Sequence, residues 1–135
     1  MKKKVINPKS VFNSLKYGFS QAVEFEGGRR VVLSGQVGVD SEEKTVDKNL
    51  TSQTKVAIDN IEQILTEIGG NLTHVVMLRI YILDSEKENQ TVISKSLLER
   101  FPKNPPATSW IFVSGLSMPE WLIEIEAEAV LPENM

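Results

Sequence analysis

The chain has 135 residues, with 15 Lys and Arg against 18 Asp and Glu, a formal net charge of -3 and no cysteine. That length predicts a single domain spanning 1–135 with one core. The absence of thiols excludes disulfides, a cysteine nucleophile and thiolate metal sites, and the negative balance argues against nucleic acid, because outside Met1 to Lys4 and the pair Arg29 and Arg30 the basic residues are scattered along the chain.

Met1 to Lys4 is basic, but Asn7, Pro8, Lys9 and Ser10 follow instead of an apolar stretch, so no signal peptide is expected. No run is long enough to cross a bilayer, and a cytoplasmic protein without a membrane partner is predicted. "YGFSQAVEF" (Tyr17 to Phe25) and "RVVLSGQVGV" (Arg30 to Val39) read as strands, and the turn "EGGRR" between them predicts a hairpin. After the polar connection Asp40 to Asn49, Val56, Ala57, Asn60, Ile61, Ile64, Leu65 and Ile68 recur at spacings of three and four. That is an amphipathic helix, with Gly69 as a left-handed cap.

"HVVMLRIYIL" (His74 to Leu83) is dense in β-branched and aromatic residues and apolar on both faces, which predicts a central strand. Ser85 and Glu88 have capping-box spacing, and Ile93, Leu97 and Phe101 fall on one helical face before Pro102 ends the element. Beyond the stiff loop "KNPPA", strands are expected at Ser109–Val113 and Leu122–Leu131. The order is β-β-α-β-α-β-β, an α+β arrangement with helices on one face of a mixed sheet. In the last strand Ile123, Ile125, Ala127 and Ala129 alternate with Glu124, Glu126 and Glu128. A face of glutamates needs water or basic partners, and an oligomer that closes the sheet's second side is the expectation.

The segments "FSQAV" (Phe19 to Val23), "VVLSGQVGVD" (Val31 to Asp40), "NIEQILTEIGGNLTHVV" (Asn60 to Val76), "FPKNPPATS" (Phe101 to Ser109) and "IEIEAEAV" (Ile123 to Val130) occur in an order and spacing that resembles the RidA family, also called YjgF/YER057c/UK114. The resemblance implies a chorismate-mutase-like fold, assembled as a homotrimer around a central β-barrel with a small-molecule cleft between each pair of subunits. In the deaminase branch those clefts hydrolyse enamines and imines such as 2-aminoacrylate to a 2-oxo acid and ammonia, and no metal or organic cofactor is implied.

Such chemistry needs a cation to hold the substrate carboxylate, ideally a guanidinium, and a carboxylate to hold water against the imine carbon. Where the deaminases carry arginine after "PPA", this chain has Thr108. The family's tyrosine is Phe19 and its helix asparagine is Ser94. Its pocket serine matches Ser34, and its water-positioning glutamate matches Glu124 if "SGLSMPEW" holds one extra residue. Thr108, Phe19, Ser94 and Trp110 are therefore expected to bind the ligand, and Glu124 and Ser34 to be the candidate catalytic pair. The expected ligand is a small metabolite, a 2-oxo or 2-imino acid or a neutral analogue. The expected function is binding or regulation rather than efficient deamination, with a hydrolase acting on an imine, enamine or amide-like substrate as the alternative.

Other residues read as structural. His74 is a lone histidine at a loop edge. Arg79 shares a face with Val75, Met77 and Tyr81 and is expected to pair with glutamates of the last strand or of a neighbouring subunit, while Arg100 is expected to meet the carbonyls at its own helix end. Trp110 and Trp121 pack in the core or an interface, unless one of them walls the cleft. An RNA-cleaving activity, with which the family is sometimes labelled, finds no basic groove or acid and base pair in the sequence.

Overall fold

The computed structural model describes residues 1–133. Six of its elements build the layer that carries the candidate site: β3 (Arg29–Val37), α1 (Leu50–Glu67), β4 (Val75–Leu83), α2 (Gln90–Arg100), β5 (Ala107–Val113) and β6 (Ile123–Leu131). The sheet order is β3-β6-β4-β5, antiparallel except for the parallel β4/β5 pair. Both helices pack on one face. There Leu78, Ile80 and Ile82 of β4 and Ile123, Ile125 and Ala127 of β6 meet Ile58, Ile61 and Leu65 of α1 and Ile93 and Leu97 of α2 in the core. The opposite face carries Arg79, Tyr81 and the three β6 glutamates, all partly exposed.

The predicted hairpin does not form as a ladder. A strand missing from the sequence reading, β1 (Lys2–Ile6), pairs antiparallel with β2 (Ala22–Glu26), while β3 crosses to β6. The turn at Gly27 and Gly28, both at positive φ, still joins β2 to β3. Lysines hid β1, and their partners explain it: Lys2 lies opposite Glu26 and Lys4 opposite Glu24, so opposite charges face each other across the ladder.

Helix α1 begins earlier than its apolar repeat suggested, because the Asn49 side chain accepts the Ser52 N–H at 2.8 Å and caps it. Its buried stripe includes Leu50, Gln53, Thr54 and Ile58, whereas Ile64 and Ile68 are exposed. Gly69 adopts the left-handed φ expected at the helix end. Ser85 and Glu88 make no capping box; a 3-10 turn over Asp84–Asn89 precedes α2, which has no side-chain cap. Arg100 reaches away from its own helix end and bridges to Asp59 at 2.8 Å and Glu62 at 3.4 Å, tying α2 to α1.

Val75 sits on the buried face, not beside Met77, because a register shift between the two residues turns the strand over. His74 Nδ1 accepts the Asn71 N–H at 3.1 Å and so closes the turn before β4. Among the described residues no helix is long and apolar enough to cross a membrane.

Candidate functional site

β5 starts at Ala107, two residues before the predicted boundary, so Thr108 belongs to the strand and not to the loop before it. Pairing of Leu78 with Thr108 and Ile80 with Trp110 turns both β5 side chains toward the helical layer. β5 is the sheet's edge, and beyond its last buried contacts the layer opens into a cavity of about 500 Å³. Thr108 and Trp110 form one wall, Tyr17 and Phe19 a second, and Gln90, Thr91 and Ser94 of α2 a third.

The aromatic rings are in sequence. Phe12 meets Phe19 edge-on at 6.4 Å between centroids, and Phe19 meets Trp110 at 6.2 Å. The Trp110 indole N–H donates to Thr108 Oγ1 at 3.0 Å, which leaves the hydroxyl proton as the free donor of Thr108. Among the described residues no lysine, arginine or carboxylate lines this cavity.

Of the six expected site residues, four therefore line one cavity: Phe19, Ser94, Thr108 and Trp110. Ser34 and Glu124 lie elsewhere within the chain. Glu124 pairs with Tyr81 in register and points to the open face of the sheet, two strands away from Thr108. A bulge between Leu33 and Gln36 lifts Ser34 and Gly35 out of the β3/β6 register. Glu124 lies over that bulge, so closely that a methyl group on Gly35 would overlap its carboxylate. Tyr17, Gln90 and Thr91 are lining residues that the sequence reading missed. The spacing of Gln90, Thr91 and Ser94, which puts neutral polar residues together on one side of a helix, was the available signal.

Two of the three glutamates on the open face have side-chain partners. Glu128 accepts from Arg79 at 2.9 Å and from Arg30 at 3.0 Å, and Tyr81 donates its hydroxyl to Glu126. The hydrogen bonds from Arg79 and Arg30 hold the Glu128 carboxyl below the usual carboxylate range. A depressed carboxylate stabilises the fold above its unfolded pKa, and that contribution is lost as pH falls through the lowered folded value. Glu128→Gln should therefore flatten the loss of thermal midpoint on acidification below the ordinary glutamate range, measured by circular dichroism across that window. The bond to Glu126 raises the Tyr81 phenol.

Trp121 takes no part in the cavity; its indole N–H donates to Thr45 Oγ1 at 3.1 Å and fastens the loop before β6. Among the described residues no group of three His, Asp or Glu is arranged to hold a metal ion.

Comparison with known proteins agrees with this fold. The family profile described as Endoribonuclease L-PSP matches residues 13–131. The chain belongs to the RidA (YjgF/YER057c/UK114) family. The Rid-family protein YyfB from Yersinia pestis superposes with a TM-score of 0.92 at 35% identity, covering 97% of this chain and all of that one. A RutC family protein from Pyrococcus abyssi is 33% identical over 112 residues, 82% of this chain and 84% of its own length. The human 2-iminobutanoate/2-iminopropanoate deaminase is 31% identical over 113 residues, 83% of this chain and 79% of its own. Membership in the RidA family fixes the fold as an α+β domain with a mixed sheet and helices on one face.

Proposed function

We propose that this RidA-family chain binds a small, neutral, planar metabolite in the cavity at the β5 edge, as a homotrimer whose sheets form a central barrel and whose neighbouring subunits complete three clefts. The observation that carries the reading is the cavity's lining, which pairs aromatic rings with neutral donors and acceptors and contains no cation. A carboxylate entering it would shed water and gain only hydroxyl and amide contacts, a poor exchange for a charged group. A conjugated amide, lactam or similar neutral group keeps its stacking on Phe19 and Trp110 and its hydrogen bonds to Ser94, Thr108 or Gln90.

A hydrolytic reading has one observation in its favour. Glu124 has no ion-pair partner among the described residues, unlike Glu128, and lies over the Ser34 bulge. In a trimer, a neighbour could bring that carboxylate to the cavity of the next subunit and set a water against a bound amide or imine. RNA cleavage has no support from the cavity, which contains neither an acid and base pair nor a cation.

Trp110 supplies the test. In a Trp121→Phe background Trp110 is the remaining tryptophan, and its emission should respond saturably to neutral planar amides and lactams and not to 2-oxo acids of the same size. Ser94→Ala should weaken that binding several-fold, about the worth of one neutral hydrogen bond. Light scattering on the same sample should give three times the 15.1 kDa chain mass. A monomer mass, or a response confined to carboxylates, overturns the reading.

A further inference from the structure

Folding brings the N-terminal residues Lys3 and Lys4 beside Lys103 of a loop distant in sequence. Lys3 and Lys4 of β1 and Lys103 of the loop before β5 line a second cavity of about 530 Å³, together with Thr73 and Asn104. It has no residue in common with the aromatic cavity, and the buried Pro105 and Pro106 follow directly on its Lys103–Asn104 rim, before Thr108. Asn104 holds a left-handed backbone, φ 49°, that turns the loop at this rim.

The positive charge here is not neutralised. Lys3 is partly buried and donates from Nζ to the Thr73 carbonyl at 2.6 Å and to the Val75 carbonyl at 3.4 Å. An ammonium has three donors, so one remains. Among the described residues neither Lys3, Lys4 nor Lys103 forms an ion pair; Glu24 stands opposite Lys4 in the β1/β2 register without reaching ion-pair distance. Burial pushes the Lys3 ammonium below the usual lysine range, and no carboxylate acts to raise it. The same uncompensated charge helps to keep His74, next to Thr73, below the usual histidine value after the effect of its own burial.

We propose that this cavity is a second ligand site, for a phosphate-bearing small molecule, gripped by the ammonium groups of Lys3 and Lys103 with Asn104 as a neutral donor, while Lys4, whose side chain leaves the other face of β1, adds charge at the rim. Lysines act as point charges toward phosphate, and a phosphate monoester carries about -1.5 to -2 at neutral pH. Two ammonium groups, with Lys4 near the rim, match that charge better than they match a single carboxylate. The site stands on residues that the aromatic cavity does not use, so each can be present without the other.

The test is a titration of the 15N-labelled full chain with inorganic pyrophosphate at constant low ionic strength, with sodium chloride as the matched control. Saturable shifts centred on the Thr73 and Asn104 amides are expected. Lys103→Gln, in an exposed loop, should weaken binding at least about tenfold, the scale of one lost charge-assisted hydrogen bond. Lys3→Gln should do at least as much, and Lys95→Gln, on the surface of α2, should change nothing. Shifts reproduced by chloride, unaltered affinity in Lys103→Gln, or binding seen with an oligonucleotide but not with pyrophosphate would each overturn the proposal.

Discussion

Generated in solution by a serine or threonine dehydratase, 2-aminoacrylate and its imine are expected to be cleared by this chain roughly two- to thirtyfold more slowly than by an arginine-bearing relative. The missing guanidinium is the reason. A charged, two-pronged contact to a carboxylate contributes about 1.5–3 kcal/mol and a neutral hydroxyl about 1. Thr108 is further committed by the Trp110 N–H that it accepts. Thr108→Arg alone should recover little, because it brings a cation against the Phe19 and Trp110 rings, removes the indole's partner and leaves Phe19 and Ser94 unchanged. Clearance at the rate of an arginine-bearing relative sinks the expectation. If slow clearance is then abolished by Glu124→Gln, the hydrolytic reading gains over simple binding.

Gln53→Leu should lower stability by about 2–4 kcal/mol, the largest effect foreseen for a polar position. Gln53 is fully buried, yet it is one of the hardest-working side chains of α1. Its carbonyl accepts the Leu122 N–H at 2.8 Å, and its amide donates to the Glu120 carbonyl at 3.0 Å. Leucine would fill the space and strand both backbone groups away from water. The loss should appear as a lower urea midpoint with an unchanged slope. A close approach to Gln53 also explains the glycine at 38, since a Cβ there would collide with the Cβ and Cγ of Gln53. An unchanged midpoint would mean that water reaches Glu120 and Leu122 and that the loop before β6 is not held as described.

The parts legible in the sequence were those with strong periodicity or strong punctuation. β4, β6 and α2's apolar face were readable because Leu78, Ile80, Ile82, Ile123, Ile125, Ile93 and Leu97 repeat at the period of their element. β1 was not, since charged residues carry it and its partner strand is remote in sequence. The α1 stripe was misplaced at its edges because buried Gln53 and Thr54 count as polar in any pattern, while exposed Ile64 and Ile68 count as apolar. At the site, family spacing named Phe19, Ser94 and Thr108, Trp110 entered as an aromatic that could wall the cleft, and these four share a cavity. It could not show that Ser34 and Glu124 sit across the sheet from them, because strand order is a three-dimensional property. Arg79 was legible as a partner of the last strand, and Arg100 was not legible as a link between helices, since Asp59 and Glu62 are distant in sequence.

β5 has a consequence beyond the cavity it walls. "ATSWIFV" is seven residues long and uncharged, holds no proline, and occupies the sheet's edge, where outside its pairing with β4 only a bridge from Ala107 to Ser20 engages it. Ile111 and Phe112 are exposed on it. Such a segment is a template for stacking like strands into fibrils, and natural edges usually blunt that hazard with lysine or proline. Here the adjoining prolines, Pro105 and Pro106, stand before the strand, so they guard its entrance and not its length. A chain whose β5 is unpartnered is therefore expected to be open to recruiting another β5, and a compound that settles against Trp110 is expected to lessen that hazard.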